Sequence, residues 1–314
     1  MTQQQRATDR QTTDGRAPGT TPGTTPDVDA ATTSFVTHRN LLFTVAYEVL
    51  GSASVAEDVL QDTWLRWADV DVATVLDHRA YLVRMTTRRA LTRLRTVRRR
   101  RESYVGPWLP EPLVTAPDVA DDVALADGVS MAVLLVLETL APTERAVFVL
   151  REVFALEYAE IAEAVEKSPA AVRQIAHRAR SHVAARRPRG TVSAAESREA
   201  FAAFRRAVTT GDLQGLLDVI APDVVLLTDG GGVVQAALEP VVGARAVAAV
   251  LARIDAGDVE ATEVNGQPAL VLRRRGTIDT VLAVRVAAGR VAGLYAVRNP
   301  DKLGHAGRTA GIRR

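Results

Sequence analysis

Arg79, Arg84, Arg88, Arg89, Arg93, Arg95 and Arg98 to Arg101 follow one another without a carboxylate between them. A guanidinium is a permanent cation with a planar fork of donors, so a row of them suits phosphate oxygens. Tyr81, Leu82, Met85, Leu91 and Leu94 keep helical spacing inside the same stretch, which marks a folded basic helix rather than a charged tail. Such a helix repels itself unless an anion lies beside it. That anion is either a nucleic-acid backbone, with counterion release supplying affinity, or an acidic neighbour in the same fold.

A second set of groups with nucleic-acid chemistry lies between Leu140 and Arg187. Pro142 opens a helix in which Ala146, Val149, Leu150 and Val153 recur at helical spacing. A second helix, Tyr158 to Val165, should bury Tyr158, Ile161, Ala162 and Val165. Glu166-Lys167 breaks it before Ser168, a good N-cap, and Pro169, a good first residue. In the third helix Val172, Ile175, Ala176, Ala179 and Val183 point inward, and Arg173, Gln174, His177, Arg178 and Ser181 fall on the opposite side. This pattern is a helix-turn-helix whose last helix can enter a major groove, where arginine reads guanine edges. The plainer alternative is a helical hairpin with solvated arginines.

The helix from about Val55 to Trp67 has the opposite character, with Glu57, Asp58 and Asp62 beside Val59, Leu60, Trp64, Leu65 and Trp67. An acidic face with tryptophans repels DNA and suits a protein partner. One tryptophan belongs in the core, which leaves Asp58, Gln61 and Asp62 as contact candidates.

The whole chain of 314 residues has a formal charge of +2, which conceals this segregation of positive and negative helices. It contains no cysteine, so disulfides and thiolate metal sites are excluded, in keeping with a reducing cytoplasm. No apolar run is long enough for a bilayer, and the residues up to about Thr33 read as a disordered tail without a signal peptide. Neither a metal nor a cofactor is expected. The domain boundaries read as 1–33 for the tail, 34–102 and 123–190 for two helical domains, 196–298 for a third domain and 299–314 for a C-terminal tail. Between the helical domains, residues 103–122 hold Pro107, Pro110, Pro112 and Pro117 and then Asp118, Asp121 and Asp122. Prolines at this density give an extended tether. Trp108 within it is costly to leave in water and should dock, with a purely local packing role as the alternative.

In this order and spacing the motifs resemble the extracytoplasmic-function sigma factors, promoter-specificity subunits of bacterial RNA polymerase, over about Phe35 to Pro188. Ala56-Glu57-Asp58-Val59-Leu60-Gln61-Asp62-Thr63-Trp64 is similar to the family's polymerase-binding helix. The resemblance implies that Glu57, Asp58, Gln61, Asp62 and Trp64 meet core RNA polymerase at the β′ clamp, with the β flap as a second contact. It implies that Arg84, Arg88, Arg89, Arg93 and Arg95 meet the minus-ten element of promoter DNA. Arg173, Gln174, His177 and Arg178 would read the minus-thirty-five element. Arg88-Arg89-Ala90-Leu91-Thr92 departs from the asparagine and aspartate common there in the family, which affects base contacts and leaves phosphate contacts intact.

After about Ser193 the pattern changes. Three helices are marked by Phe201, Phe204 and Val208; by Leu213, Leu216, Leu217 and Ile220; and by Ala246, Val247, Val250, Leu251 and Ile254. Strands are expected at Val224 to Thr228, Glu260 to Val264, Ala269 to Arg273, Thr280 to Ala287 and Val291 to Arg298, with hairpin turns at Asn265-Gly266 and Ala288-Gly289. Two all-α domains followed by an α+β domain of antiparallel strands is the expected architecture. The last domain resembles the SnoaL-like cone fold, which leaves room for a small ligand in its pocket. Some members of that fold are enzymes, and here catalysis would rest on Asp223, Asp229, Asp279 or Tyr295, because no histidine lies between His182 and His305. Carboxylates in turns or solvent explain these residues without catalysis, and no enzymatic activity is expected.

A narrower resemblance joins the parts. Sigma factors with a fused SnoaL-like extension share Trp108-Leu109-Pro110-Glu111-Pro112, Asp229-Gly230-Gly231-Gly232 and Asn299-Pro300-Asp301-Lys302-Leu303. Val233 departs from the lysine or arginine usual there. The resemblance implies a regulatory extension. Consecutive glycines allow positive φ and close backbone approach, so the loop is either a flexible hairpin tip or a docking element for Trp108 or for Asn299 to Leu303. The alternative to a sigma factor is a stand-alone helix-turn-helix regulator with a ligand-sensing domain, which has no need of the acidic helix.

Overall fold

The computed structural model describes residues 28–115, 130–186, 193–254, 258–307 and 309–310. Helices α1 (Val28–Leu50), α2 (Ala53–Trp67) and α3 (His78–Arg101) form the first unit. Ser52 caps α2 by accepting from Val55 N, and Asp77 caps α3 by accepting from Ala80 N. The expected tail is too long by one helical segment, because α1 begins at Val28. Ala31 is buried, and its carbonyl accepts the Trp67 indole N–H at 2.9 Å, a tertiary contact that composition cannot register. The rest of that tail, residues 1–27, lies outside the described residues.

The second unit is α4 (Met131–Glu138), α5 (Pro142–Phe148), which runs on into a π-turn at Val149–Val153, α6 (Tyr158–Val165) and α7 (Pro169–Arg186). Val172, Ile175, Ala176, Ala179 and Val183 are the buried stripe of α7. Glu166 makes the break with φ 56°, and Ser168 Oγ accepts from Ala171 N at 3.2 Å. Tyr158 is only half-buried. Rather than standing apart on a tether, the two helical units contribute to one continuous apolar cluster, with Leu82, Leu91 and Leu94 of α3 and Leu137, Val147 and Leu150 of the second unit among its members.

Helices α8 (Ala194–Thr210), α9 (Leu213–Val219) and α10 (Ala244–Leu251) accompany eight strands: β1 (Val114–Thr115), β2 (Ile220–Asp229), β3 (Val241–Val242), β4 (Val259–Val264), β5 (Gln267–Arg274), β6 (Thr277–Ala287), β7 (Arg290–Val297) and β8 (Thr309–Ala310). They form one sheet in the order β3-β2-β7-β6-β5-β4-β1-β8. The strands are not all antiparallel: β2 pairs parallel with β7, and β1 with β8. The turns at Asn265-Gly266 and Ala288-Gly289 have positive φ at both residues, as tight hairpins require, and Arg275-Gly276 makes a third. Strand β1 comes from the proline-rich linker, whose later part, residues 116–129, lies outside the described residues.

The sheet is covered on both faces. On one, Phe204, Leu216, Val247 and Leu251 of the helices meet Leu270, Leu282 and Leu294. On the other, Val271, Val281 and Val297 meet Leu109 of the linker, Met131 and Ala132 of α4, and Leu303. Helix α4 therefore serves two cores, since its Val133, Leu134 and Leu137 belong to the helical cluster. No helix among the described residues is long and apolar enough to cross a membrane.

One hydroxyl ties the three parts together. Tyr47 of α1 is fully buried and donates to the Glu111 carbonyl at 2.7 Å, while Asn265 Nδ2 donates to the same hydroxyl at 2.7 Å. Tyr47→Phe keeps the ring and leaves both partners short of a bond in a dry site. We expect a loss of about 1–3 kcal/mol, read as a lower thermal unfolding midpoint with faster proteolysis of the linker. An unchanged midpoint and cleavage rate would remove Tyr47 from this role.

Candidate polymerase and nucleic-acid interfaces

On α2 the acidic residues and one tryptophan gather around a groove of about 280 Å³ lined by Phe35, Arg39, Glu57, Asp58, Gln61 and Trp64. The Phe35 and Trp64 rings lie 5.4 Å apart and form its apolar part. Glu57 pairs with Arg39 at 2.7 Å and Asp58 with Arg93 at 3.2 Å, while Gln61 and Asp62 are exposed. Trp67 is the core tryptophan, with the edge of its ring against His78. Leu65, named among the apolar residues of this helix, is 58% exposed and lies outside the groove.

The arginines of α3 divide into three groups. Arg84 donates to Glu163 of α6 at 2.5 Å and sits over the Tyr81 ring, and Arg88 donates to the Glu163 carbonyl at 2.8 Å and pairs with Glu166 at 3.4 Å. Arg89 is half-exposed and Arg95 exposed. Arg98 and Arg101 turn inward: Arg98 donates to the Leu140 carbonyl at 2.9 Å and Arg101 to the Leu50 carbonyl at 2.7 Å. The acidic-neighbour reading thus holds for part of the basic helix, and another part faces solvent.

Arg101 also meets Glu138 of α4, which meets Arg145 of α5 with its other oxygen. Burial alone would raise the Glu138 carboxyl, but Arg145 and Arg101 outweigh it and hold the group below its usual value. Arg145 is fully buried and donates through Nε to the Glu48 carbonyl at 2.8 Å. Its partner lies in the first helical unit. Nothing in the sequence pattern separates these inward cations from the outward ones, since the carboxylate that selects Arg101 is distant in sequence.

Arg173, Gln174, His177 and Arg178 project from α7 into solvent, with Arg178 only loosely paired to Glu144 at 4.0 Å. Arg180 reaches back to Glu152 at 3.1 Å and braces the helix. This face of α7 is therefore open to solvent while α3 is partly engaged by α6.

The three peptide motifs converge on one buried carboxylate. Asp229 has no exposure and accepts from Tyr104 OH at 2.6 Å, Leu109 N at 2.8 Å, Gly231 N at 3.1 Å and Lys302 Nζ at 2.6 Å. Burial pushes the Lys302 ammonium down to about 8, against the attraction of Asp229. Lys302 also donates to the Leu109 carbonyl at 2.7 Å and lies 4.2 Å from the centre of the Trp108 ring. The Arg101 guanidinium lies 3.4 Å from that same centre, so Trp108 is held between two cations. Trp108 is not a loose linker residue.

Glu111 is buried and accepts from Ser52 Oγ at 2.5 Å, Ser54 N at 2.9 Å and Ser54 Oγ at 2.8 Å, which pins the linker to the start of α2. Pro110 is buried beside it. In the glycine loop, a Cβ on Gly230 would lie 2.3 Å from the Val234 carbonyl oxygen, and one on Gly231 2.3 Å from Asn299 Nδ2. Gly231 and Gly232 also have positive φ. Asn299 donates to Tyr104 OH at 2.8 Å and accepts from Asp301 N at 3.1 Å; Leu303 is buried, whereas Pro300 and Asp301 are exposed. The loop docks on Tyr104, Val105 and Asn299, and it reaches the Trp108 motif through Leu109 N. Tyr104, Tyr47 and Asn265 belong to this junction, although the sequence placed Tyr104 only in the linker and Asn265 only in a turn and did not single out Tyr47.

Of the residues considered for catalysis, Asp229 is held as above, Asp279 pairs with Arg298 at 3.1 Å, Tyr295 is buried beside Arg285, and Asp223 is exposed.

A basic helix packed beside a helix-turn-helix, next to an acidic groove for a protein, defines a promoter-recognition subunit. Residues 35–100 match sigma-70 region 2 and residues 130–183 match sigma-70, region 4. The ECF RNA polymerase sigma factor SigJ of Mycobacterium tuberculosis is 34% identical over 290 residues, which cover 86% of this chain and 92% of that protein. The same species has a "Probable ECF RNA polymerase sigma factor SigI" that is 34% identical over 282 residues, 88% of this chain and 95% of that one. The crystal structure of the SigJ protein matches with a TM-score of 0.71 and 31% identity, covering 90% of this chain and 100% of that chain. The chain belongs to the extracytoplasmic-function RNA polymerase sigma factors. Its activity is to direct transcription initiation by RNA polymerase.

The Asp229 cluster yields a stability test. Lys302→Met conserves length and leaves a buried carboxylate without its cation. Removing one partner of such a pair costs about 3–5 kcal/mol. The expected outcome is a loss of that size in denaturant unfolding, greater than for Asp301→Ala on the exposed neighbour. Equal effects of the two substitutions would show that Lys302 does not neutralise Asp229.

Proposed function

We propose that this sigma factor binds core RNA polymerase through the α2 groove, with Glu57, Asp58, Gln61, Asp62 and Trp64 against the β′ clamp and the second helical unit on the β flap. Arg84, Arg88, Arg89, Arg93 and Arg95 contact the minus-ten element, and Arg173, Gln174, His177 and Arg178 the minus-thirty-five element. The C-terminal domain restrains both units in a closed resting form. Its place of work is the cytoplasm, where polymerase and promoter meet, and its own chemistry is regulatory rather than enzymatic. A small ligand of that domain would have to fit among side chains such as Phe204, Leu251 and Leu282, which favours an apolar molecule.

The observation that carries this reading is the contact of Arg84 and Arg88 with α6. By their positions, the two promoter elements lie about 25 base pairs apart, roughly 85 Å of B-form helix at 3.4 Å per base pair. Units that touch through side chains cannot read both elements together, so the closed form has to open. The linker is central to that step. Between Glu102 and Ser130 it has 27 residues, of which the last 14 follow the docked segment ending at Thr115. At about 3.3–3.6 Å per residue, release of the docked part roughly doubles its reach.

Pull-down with purified core polymerase tests the partner assignment: Asp58→Ala with Asp62→Ala should weaken binding about tenfold while the circular dichroism spectrum stays unchanged. Unchanged binding would assign the groove to something else. Run-off transcription tests the restraint. Trp108→Ala removes the ring held by two cations and should raise promoter-dependent transcript yield and linker proteolysis together. If both match the parent protein, the C-terminal domain is a passenger.

A further inference from the structure

Between α3 and the α6–α7 corner lies an open cleft of about 1190 Å³. Arg66, Arg84, Arg88, Arg89 and Lys167 line it, against only two carboxylates, Glu163 and Glu166. Those two are already taken by Arg84 and Arg88. No carboxylate among the described residues pairs with Arg66, Arg89 or Lys167, so three cations face one cleft with no acid set against them. Arg66 stands at the end of α2 and Arg89 on α3, both in the first unit, and Lys167 in the turn ahead of α7 joins them only because the second unit is closed on the first. Tyr81, Met85 and Ala162 give the same cleft an apolar wall.

We infer that the closed form holds a short oligophosphate chain in this cleft, either free or carried on a nucleoside, and that it bridges the two units. Three facing cations match the charge of such a chain, and phosphate oxygens accept the several donors that each guanidinium presents. The apolar wall offers a surface on which a nucleobase can lie. Promoter DNA would use some of the same arginines in the open form, but Lys167 and Arg89 then part company. The ligand is therefore specific to the closed form and opposes opening. This inference rests on the closed resting form proposed above.

The test uses the full chain and inorganic tripolyphosphate at about 0.15 M salt, where weak surface attraction is screened, with a nucleoside triphosphate as the second probe. Calorimetric titration should show one site. Arg66→Ala and Lys167→Ala, on opposite walls, should each weaken it at least tenfold, while Arg205→Ala on the exposed face of α8 should not. Tighter binding of the nucleoside triphosphate would assign the apolar wall to a base, and equal binding would assign the site to the phosphate chain alone; both support the inference. Loss of the site on assembly with core polymerase is expected as well. No binding, equal losses in all three variants, or a polymerase complex that binds as much tripolyphosphate as core polymerase and the free sigma factor added together would each overturn it. Linker proteolysis of the parent protein and of Trp108→Ala, with neither probe present, checks the closed form independently, so failure of this site is distinguishable from failure of the closed-form reading.

Discussion

The Asp229 carboxylate lies at the end of β2 with no access to solvent, and a charge in that position has to be answered from within the protein. Its four donors come from the linker, the glycine loop and the C-terminal segment, parts distant in sequence. Once Lys302 has been drawn in, its own position beside Trp108 sets the tryptophan against Arg101 of α3. The chain of contacts thus passes from a strand of the C-terminal sheet to the helix that carries the arginines proposed for the minus-ten element. Glycine at position 230 is required by the same geometry, since any side chain there would strike the backbone at Val234.

Helix α4 makes the second connection. Its two apolar faces commit it to the sheet on one side and to the helical cluster on the other, and Glu138 at its end lies between Arg101 and Arg145. Removing three charges from water is costly, and such a triad often gains little net stability over apolar packing. What it fixes is register. Arg101, Glu138 and Arg145 come from α3, α4 and α5, so the pairing is satisfied only when both helical units hold one relative position. Apolar surfaces alone would permit sliding.

The sequence made the local periodicities legible. The buried stripe of α7, the break at Glu166, the N-cap at Ser168 and two hairpin turns all follow from spacing and from residues with particular backbone tolerance. The meeting of the three peptide motifs was expected from resemblance, not from physics. Other features depend on partners remote in the chain. The start of α1 is set by Trp67, the inward turn of Arg101 by Glu138, and the role of Asn265 by Tyr47. A two-residue strand such as β1 has no periodicity to detect. The parallel pairing of β2 with β7 is a matter of topology, which alternating hydrophobicity leaves open.

The two kinds of contact between the units differ in strength, and the difference bears on how opening proceeds. The pairs of Arg84 and Arg88 with Glu163 and Glu166 involve carboxylates with 63% and 73% side-chain exposure, and exposed pairs contribute about 0–1 kcal/mol. Promoter phosphates or salt can displace them at little cost. The junction around Asp229, Tyr47 and Glu111 is buried and its polar groups are paired, so the early steps of breaking it leave those groups without partners before water reaches them. On the proposed reading, control of opening therefore belongs at the junction, remote from the side chains assigned to DNA. Loosening of the linker would then release the arginine helix, whereas DNA acting on α3 alone would meet an obstacle held in place from behind.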